Sequence, residues 1–291
     1  MNNYLTYVYL LTPLHTGASS QEGNLMGIAR EVHTEFPYLP ASSLRGKIRS
    51  ELETLNPDTA GLLFGQKIKD GMQPTEGEVW FADATLLFFP IASLSHHFIW
   101  ITCPLWLERW NRWLDKTPLT SFIQRCRQTI SDSKPACVSF PAAPLYLQTA
   151  LLKPSNLTQL DSSPLSDSLT PLIQTQGMIS QLTQKLVILS DEDCNALVEL
   201  GLQREVRVAL EETSKTVKGG SFRSEEAIPP EAVLFFPWGM KQSKHEEETK
   251  PMRRHLQERL NQRLQFGGLE GLGRGWADLQ TIKLTQNLHS S

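Results

Sequence analysis

The chain has 291 residues, of which 40% are hydrophobic and 20% charged, and a formal net charge of −3. This length fits one large domain or two small ones, and the composition excludes a disordered chain. The mild acidity excludes a protein that coats nucleic acid by bulk attraction, though not one with a local basic groove. The four cysteines, Cys103, Cys126, Cys137 and Cys194, have no C-x-x-C spacing. They are expected to be buried free thiols, and no metal site is expected. There is no basic n-region with a cleavage site and no apolar run of the ~18–20 residues needed to span a bilayer, so a cytoplasmic protein is expected.

Residues 4–11 read as a first strand, and residues 12–41 as mostly loop. Leu44, Ile48, Leu52 and Leu55 then form one apolar stripe at helical spacing, with Ser42 or Ser43 as the expected N-cap. Arg45 and Arg49 lie four apart on another face, and Gly46 removes a side chain in the first turn. A helix start with two serines, a glycine and three cations suits a phosphate; an amphipathic helix with a solvated basic face explains the same residues. From Glu51 to Gln73 the pattern reads as helix end and loop. Glu78 to Phe89 reads as a strand pair turned at Asp83, and Phe98 to Cys103 as another strand stopped by Pro104. Trp106, Trp110 and Trp113 stand at i, i+4 and i+7 of a helix over 105–114. Bases can stack on such a stripe, but the spacing predicts core. Helix resumes over 119–130.

Between Ser131 and Leu189 six prolines punctuate a stretch rich in Ser, Thr and Gln, read as an irregular insertion with short strands. Gln184 to Leu189 is a strand, and Ser190 with Asp191, Glu192 and Asp193 starts a helix. Val206 and Val208 alternate with Glu205 and Arg207, and residues 221–226 return as the second strand of a charged hairpin turned at 211–220. Residues 241–263 read as a charged helix, solvated or facing a neighbouring subunit. Five glycines lie between Gly267 and Gly275. A strand follows them at 280–284, where a dinucleotide site needs a helix, so dinucleotide binding is rejected.

Three motifs carry a resemblance: T-P-x-H-x-G at 12–17, R-E-x-H-T-x-F-P at 30–37, and S-S-L-R-G-x-I-R at 42–49. Leu63-Phe64-Gly65, Phe81-Ala82-Asp83-Ala84, Ile101-Thr102-Cys103-Pro104 and the late G-x-G-R-G loop continue it in order. The chain resembles CRISPR-associated RAMP proteins, and more narrowly the repeated backbone subunit of the type III-B effector complex. The resemblance implies an α+β fold over residues 1–291: a ferredoxin-like, RNA-recognition-type palm (1–130 and 232–291) with an antiparallel sheet and helices on one face. An irregular insertion (about 131–203) and a protruding thumb β-hairpin (about 204–231) complete it.

The implied function is binding of a CRISPR guide RNA by several copies of the chain in a filament, holding the duplex of guide and target RNA. The implied partners include the other type III effector subunits, the large polymerase-like subunit and small subunits among them, and no membrane. Ser42, Ser43, Arg45, Gly46, Lys47, Arg49, Gly271, Gly273, Arg274 and Gly275 are the implied RNA contacts, made to the backbone because base pairing carries the specificity. For target-RNA cleavage the resemblance points to His15 and to the acids Glu225 and Glu226. The family's loop aspartate has no counterpart in Gly23 to Ile28, with Glu22 the nearest acid, and Ala227 stands where an aromatic is expected. Leu25 and Met26 transfer no proton, and Asn24 takes none at neutral pH. The cleavage centre is therefore expected to be degenerate, with an active endoribonuclease as the alternative. No cofactor is expected, and a divalent metal only if cleavage is retained.

Overall fold

In the computed structural model, the structure describes residues 2–17, 25–66, 75–131, 135–148, 150–170, 181–182, 184–208, 222–242 and 246–284. In chain order the elements are β1 (Asn2–Leu10), β2 (Leu25–Met26), α1 (Ala41–Glu53), α2 (Pro57–Phe64), β3 (Val79–Phe81), β4 (Thr85–Ser93), β5 (His97–Thr102), α3 (Pro104–Leu114) and α4 (Thr117–Ser131). There follow β6 (Ala136–Val138), β7 (Leu145–Leu147), β8 (Ala150–Leu152), β9 (Leu157–Gln159), α5 (Ser163–Leu169), β10 (Leu186–Leu189) and α6 (Asp191–Gly201). The chain closes with β11 (Gln203–Arg207), β12 (Arg223–Ala227), β13 (Val233–Met240), α7 (Glu246–Arg259), β14 (Arg263–Gln265) and β15 (Trp276–Lys283).

Among the described residues ten strands form one sheet in the order β14-β15-β1-β13-β4-β5-β10-β6-β9, with β3 also on β13. All eight residues of β13 are buried, which explains its unbroken apolar run: a strand covered on both faces has no polar side to present. The sheet differs from the expected one in two respects. It is mixed, because β5 pairs with β10 and β6 with β9 in parallel. It is also covered on both faces. Tyr4, Val8 and Leu10 of β1 point into one apolar layer with Leu44, Ile48 and Leu52 of α1 and Met252 and Leu256 of α7. Leu5 and Tyr7 point into a second layer with Trp110 of α3 and Phe122 of α4. The Trp-bearing helix and its successor supply enough apolar area to cover a second face.

Trp106 and Trp110 are fully buried, as their spacing predicts, while Trp113 lies at the surface, where its ring centroid is 6.1 Å from that of Trp80. The stripe of α1 ends at Leu52, and Leu55 is exposed. The stretch read as loop after residue 51 contains α2, capped by the Asn56 side chain, which accepts the Thr59 N–H at 3.1 Å, with Pro57 in the first turn. The stretch read as an irregular insertion adds β6, β9 and β10 to the large sheet. A separate three-stranded sheet runs β11-β12-β2, the first pair antiparallel and the second parallel. The turn expected at 211–220 lies outside the described residues, as does Glu22.

Candidate nucleic-acid interface

Helix α1 starts immediately after Pro40, and no side chain of Ser42 or Ser43 caps it. The Ser43 and Leu44 N–H groups donate to the Pro40 carbonyl at 3.0 and 3.1 Å. The cap comes from another strand. Leu39 and Ala84 exchange backbone hydrogen bonds, which brings the Asp83 carboxylate 2.7 Å from the Ala41 N–H. A carboxylate there complements the positive end of the helix dipole as a serine does not.

Three cations of α1 have three different environments. Arg45 donates to the Val79 carbonyl at 2.8 Å and to that of Phe64, with its guanidinium 5.3 Å above the Phe64 ring. Burial lowers its pKa, and Arg49 nearby adds to the effect. Arg45 thus ties α1 to β3 and to the end of α2. Arg49 pairs with Glu53 at 2.7 Å. Lys47 lies 3.3 Å from Glu51 and 3.5 Å from Glu270, so it reaches from α1 to the glycine-rich loop. Next to it, Gly46 has no heavy atom within 4 Å of the place where a Cβ would stand.

Three glycines of the loop, Gly267, Gly273 and Gly275, have positive φ, and two of them are tightly packed. A Cβ on Gly267 (φ 81°) would lie 2.3 Å from the His15 carbonyl oxygen, and one on Gly275 (φ 80°) 1.8 Å from that of Phe266. Neither position tolerates a side chain. The Gly268 N–H donates to His15 O, Gly275 N–H to Pro13 O and Gly273 N–H to Glu270 O. Gly271 and Gly273 instead face open space. Arg274 is buried and turns toward the β11–β12 hairpin, 2.6 Å from Glu205 and 4.0 Å from Glu225. Glu225 also pairs with Arg207 at 2.8 Å. The hydrogen bond from Arg274 holds the Glu205 carboxyl below the ordinary carboxylate value.

The other face of the hairpin carries a closed ring of charges. Glu226, 2% exposed, accepts from Arg204 at 3.0 Å on one oxygen and from Arg30 at 2.9 Å on the other. Arg30 and Arg204 both also pair with Glu199 of α6. Burial works against the charge of Glu199, but the two arginines outweigh it and hold its pKa below the ordinary value. Both oxygens of Glu226 are engaged by guanidinium groups, so it is a brace between strand, loop and helix. The ring lies in the wall of an open depression of about 750 Å³ that Leu25, Gly27 and Ile28 also line.

His15 is buried between these two parts. Its Nδ1 is 2.7 Å from the Glu226 carbonyl oxygen. A carbonyl only accepts, so Nδ1 is the donor, and in the neutral ring Nε2 is the nitrogen with the lone pair. Among the described residues no group of three or more His, Cys, Asp or Glu side chains is arranged to hold a metal ion.

The structure thus brings Lys47, the glycine loop, His15 and the acid pair together, while Arg45 turns to β3 and α2 and Arg49 to Glu53. Arg30, Glu199, Glu205 and Arg207, which hold the acid pair and Arg274, and Asp83, which caps α1, were missed by sequence reasoning. In the hairpin register Glu205 stands opposite Glu225 and Arg207 opposite Arg223, so no cross-strand rule pairs them; their partners are Arg274 of the glycine loop and, on the diagonal, Glu225.

The chain is 26% identical over 295 residues to the CRISPR system Cmr endoribonuclease Cmr4 of Pyrococcus furiosus, covering 99% of this chain and 98% of that one. A structure of the type III-B Cmr-beta complex bound to cognate target RNA contains a chain that superposes with a TM-score of 0.71 at 20% identity, covering 96% of each. Oligomeric Cmr4 from Pyrococcus furiosus superposes with a TM-score of 0.67 at 22% identity, covering 98% of this chain and all of that one. Residues 7–278 match the model of the RAMP superfamily, and the chain belongs to that family.

Proposed function

We propose that this chain is a backbone subunit of a type III CRISPR effector complex, several copies of which line a guide RNA and hold the guide–target duplex. One observation carries the reading. Lys47 joins α1 to the glycine loop, and Arg274 joins that loop to the hairpin, so the three segments singled out by the family resemblance form one continuous surface. A mildly acidic chain with Lys47 and Arg274 on that surface suits contacts to RNA backbone, with sequence read by base pairing. The target-RNA complex and the oligomeric Cmr4 among its structural relatives support RNA and further copies of the chain as partners. The other type III subunits, large and small, follow from the same reading, and so does a cytoplasmic location.

A ferredoxin-like palm is supported by the order β15-β1-β13-β4, all antiparallel, with α1 following β1 and α7 following β13. In this reading residues 1–130 and 232–291 are the palm, 131–203 the insertion and 204–231 the thumb. The exposed Val206 and Phe222 on the hairpin support a wedge between bases.

Cleavage of the target is proposed to be degenerate. Leu25 and Met26, on β2, offer no proton transfer beside the acid pair, and Glu225 and Glu226 are held by arginines. The alternative, an active endoribonuclease, is favoured by the lone pair on His15 Nε2, the form a general base requires. The test is a target-RNA cleavage assay on the guide-loaded complex, with and without Mg²⁺ or Mn²⁺. Tight target binding without cuts is expected. Regularly spaced cuts that vanish in His15→Ala would overturn degeneracy. An absorbance ratio at 260 to 280 nm typical of protein alone in the purified assembly would sink both readings.

A further inference from the structure

Two cations assigned to the proposed RNA surface, the half-buried Lys47 and the buried Arg274, are already occupied. Lys47 is held by Glu51 and Glu270, and Arg274 by Glu205. Two of these contacts cross between segments: Glu270 reaches from the glycine loop to α1, and Glu205 from the hairpin to the loop. In both, the acid is the partner open to water. The side chains of Glu270 and Glu205 are 46% and 39% exposed, against 24% and 8% for the Lys47 and Arg274 side chains that they hold. Beside these pairs the surface is open, since no atom approaches the Cβ positions of Gly46, Gly271 or Gly273 within 4 Å.

We infer that Glu270 and Glu205 are internal stand-ins for RNA phosphates, which hold the groove's cations in the free subunit and are displaced when guide RNA enters. The inference rests on the proposed function. A phosphodiester oxygen and a carboxylate oxygen make equivalent charge-assisted hydrogen bonds to an ammonium or a guanidinium group. Exchanging one for the other is therefore close to neutral: a released Glu270 already faces water, and a released Glu205 keeps Gln203 and Arg207 as partners. The device selects for context. A stray RNA reaching one cation gains little, because it evicts one anion to seat another. A guide held in register by neighbouring copies displaces both carboxylates together and adds its other contacts.

The effect has a signature in salt. Each phosphate neutralised by a free cation releases condensed counterions and contributes about 0.7 to the salt slope for a single strand. An evicted carboxylate takes up a cation again and cancels part of that release. The pairing of Lys47 and Arg274 should therefore give a slope shallower than the number of groove cations suggests.

The experiment measures affinity of the full chain for a single-stranded RNA of unrelated sequence across a salt series, for wild type, Glu270→Gln, Glu205→Gln, the double variant and Lys47→Ala. Glu108→Gln, on α3 and paired with Arg127 away from the groove, controls for net charge. Each groove variant is expected to bind about two- to five-fold tighter at low salt, the range of an exposed ion pair. Its slope should steepen by up to about 0.7, and the double variant should combine both gains. Lys47→Ala should weaken binding, and Glu108→Gln should leave the slope unchanged. If wild type binds RNA but the groove variants match Glu108→Gln, the inference is overturned and the groove reading stands. If neither wild type nor any variant binds at any salt, the groove reading itself fails, and the inference with it.

Discussion

The ammonium of Lys47 lies 3.5 Å from the carboxylate of Glu270, joining the helix that follows the first strand to the loop that precedes the last. Neither residue is buried. A pair this exposed is worth ~0–1 kcal/mol. Its value is positional: it marks where two distant segments present one surface. Lys47→Glu should leave the melting temperature nearly unchanged and strip guide RNA from the purified assembly, read as a fall in the 260 to 280 nm absorbance ratio. Retained RNA would place the guide elsewhere.

Gly46 sits inside a helix, where glycine costs roughly 0.5–1 kcal/mol relative to alanine, and among the described residues nothing lies within 4 Å of where its Cβ would stand. Gly46→Ala should therefore raise stability by about that amount in denaturant unfolding. If the open space receives an RNA backbone, guide occupancy should fall in the same variant. A variant both more stable and fully loaded would remove the reason for a glycine there.

Arg45 and Arg49 look alike in sequence and differ in the fold. Arg45 satisfies two backbone carbonyls, whereas Arg49 pairs on the helix surface with Glu53. Arg45→Ala should cost ~1–3 kcal/mol through the carbonyls left without a donor, and Arg49→Ala under ~1 kcal/mol. Equal losses in chemical denaturation would contradict the arrangement. Loss of RNA in Arg45→Ala then needs an unfolding control before it is assigned to a phosphate contact.

Glu226 closes the charged ring. Glu226→Ala leaves Arg30 and Arg204 facing each other and removes the brace between β12, α6 and the loop before α1. The expected cost is about 2 kcal/mol, below the ~3–5 kcal/mol of a fully buried pair because Arg204 is half-open to water. Faster amide exchange in β11 and β12, with the large sheet unaffected, would locate the loss. A cost under ~0.5 kcal/mol would mean the ring is ornamental.

The ring also sets an acid limit. The Glu199 carboxyl is held below the ordinary value of 4.5 by Arg30 and Arg204, against the opposing effect of burial. A carboxylate lowered in this way stabilises the fold above pH 4.5, and that stabilisation disappears as the pH falls through the lowered value. Exchange protection at the hairpin base should therefore be lost as the pH falls below the ordinary carboxylate value of 4.5, and Glu199→Gln should flatten that dependence. An unchanged acid limb in Glu199→Gln would assign the transition to another group.

Much of the fold is legible where a local rule and the packing agree. Ser190 caps α6 as its position before three acids suggests, accepting the Asp193 N–H at 3.0 Å. Trp106 and Trp110 are core because their spacing puts them on one helix face. The strand assigned to residues 4–11 is β1 to within about a residue at its end. What escaped is non-local. Asp83 replaces the serines as cap because a bridge between Leu39 and Ala84 brings it there, and no window around Ser42 contains that bridge. The second covered face of the sheet depends on α3 and α4 folding back over Leu5 and Tyr7. Helix α2 was the avoidable miss, since Asn56-Pro57-Asp58 carries a cap, a first-turn proline and a first-turn acid.

For the candidate site, the motifs located the segments but not the partners. Arg204, which reads as part of a solvated charged hairpin, is held by Glu226, and Arg274, which reads as an RNA contact, by Glu205. A side chain's type says what it is able to bind; only the fold says whether its hands are full.

Strand β1 has β13 on one side and β15 on the other. Both partners come from the last quarter of the chain. As the polypeptide leaves the ribosome, the first strand to appear has both edges open, with Tyr4, Leu5, Tyr7 and Val8 along it, until Val233 and then Trp276 follow. At ~5–20 residues per second that wait is on the order of ten seconds to a minute. Throughout it, an apolar strand with two free edges is a template for the wrong partner. A chain with this strand order thus passes its nascent life in a state where the neighbouring copy on a polysome is its chief hazard.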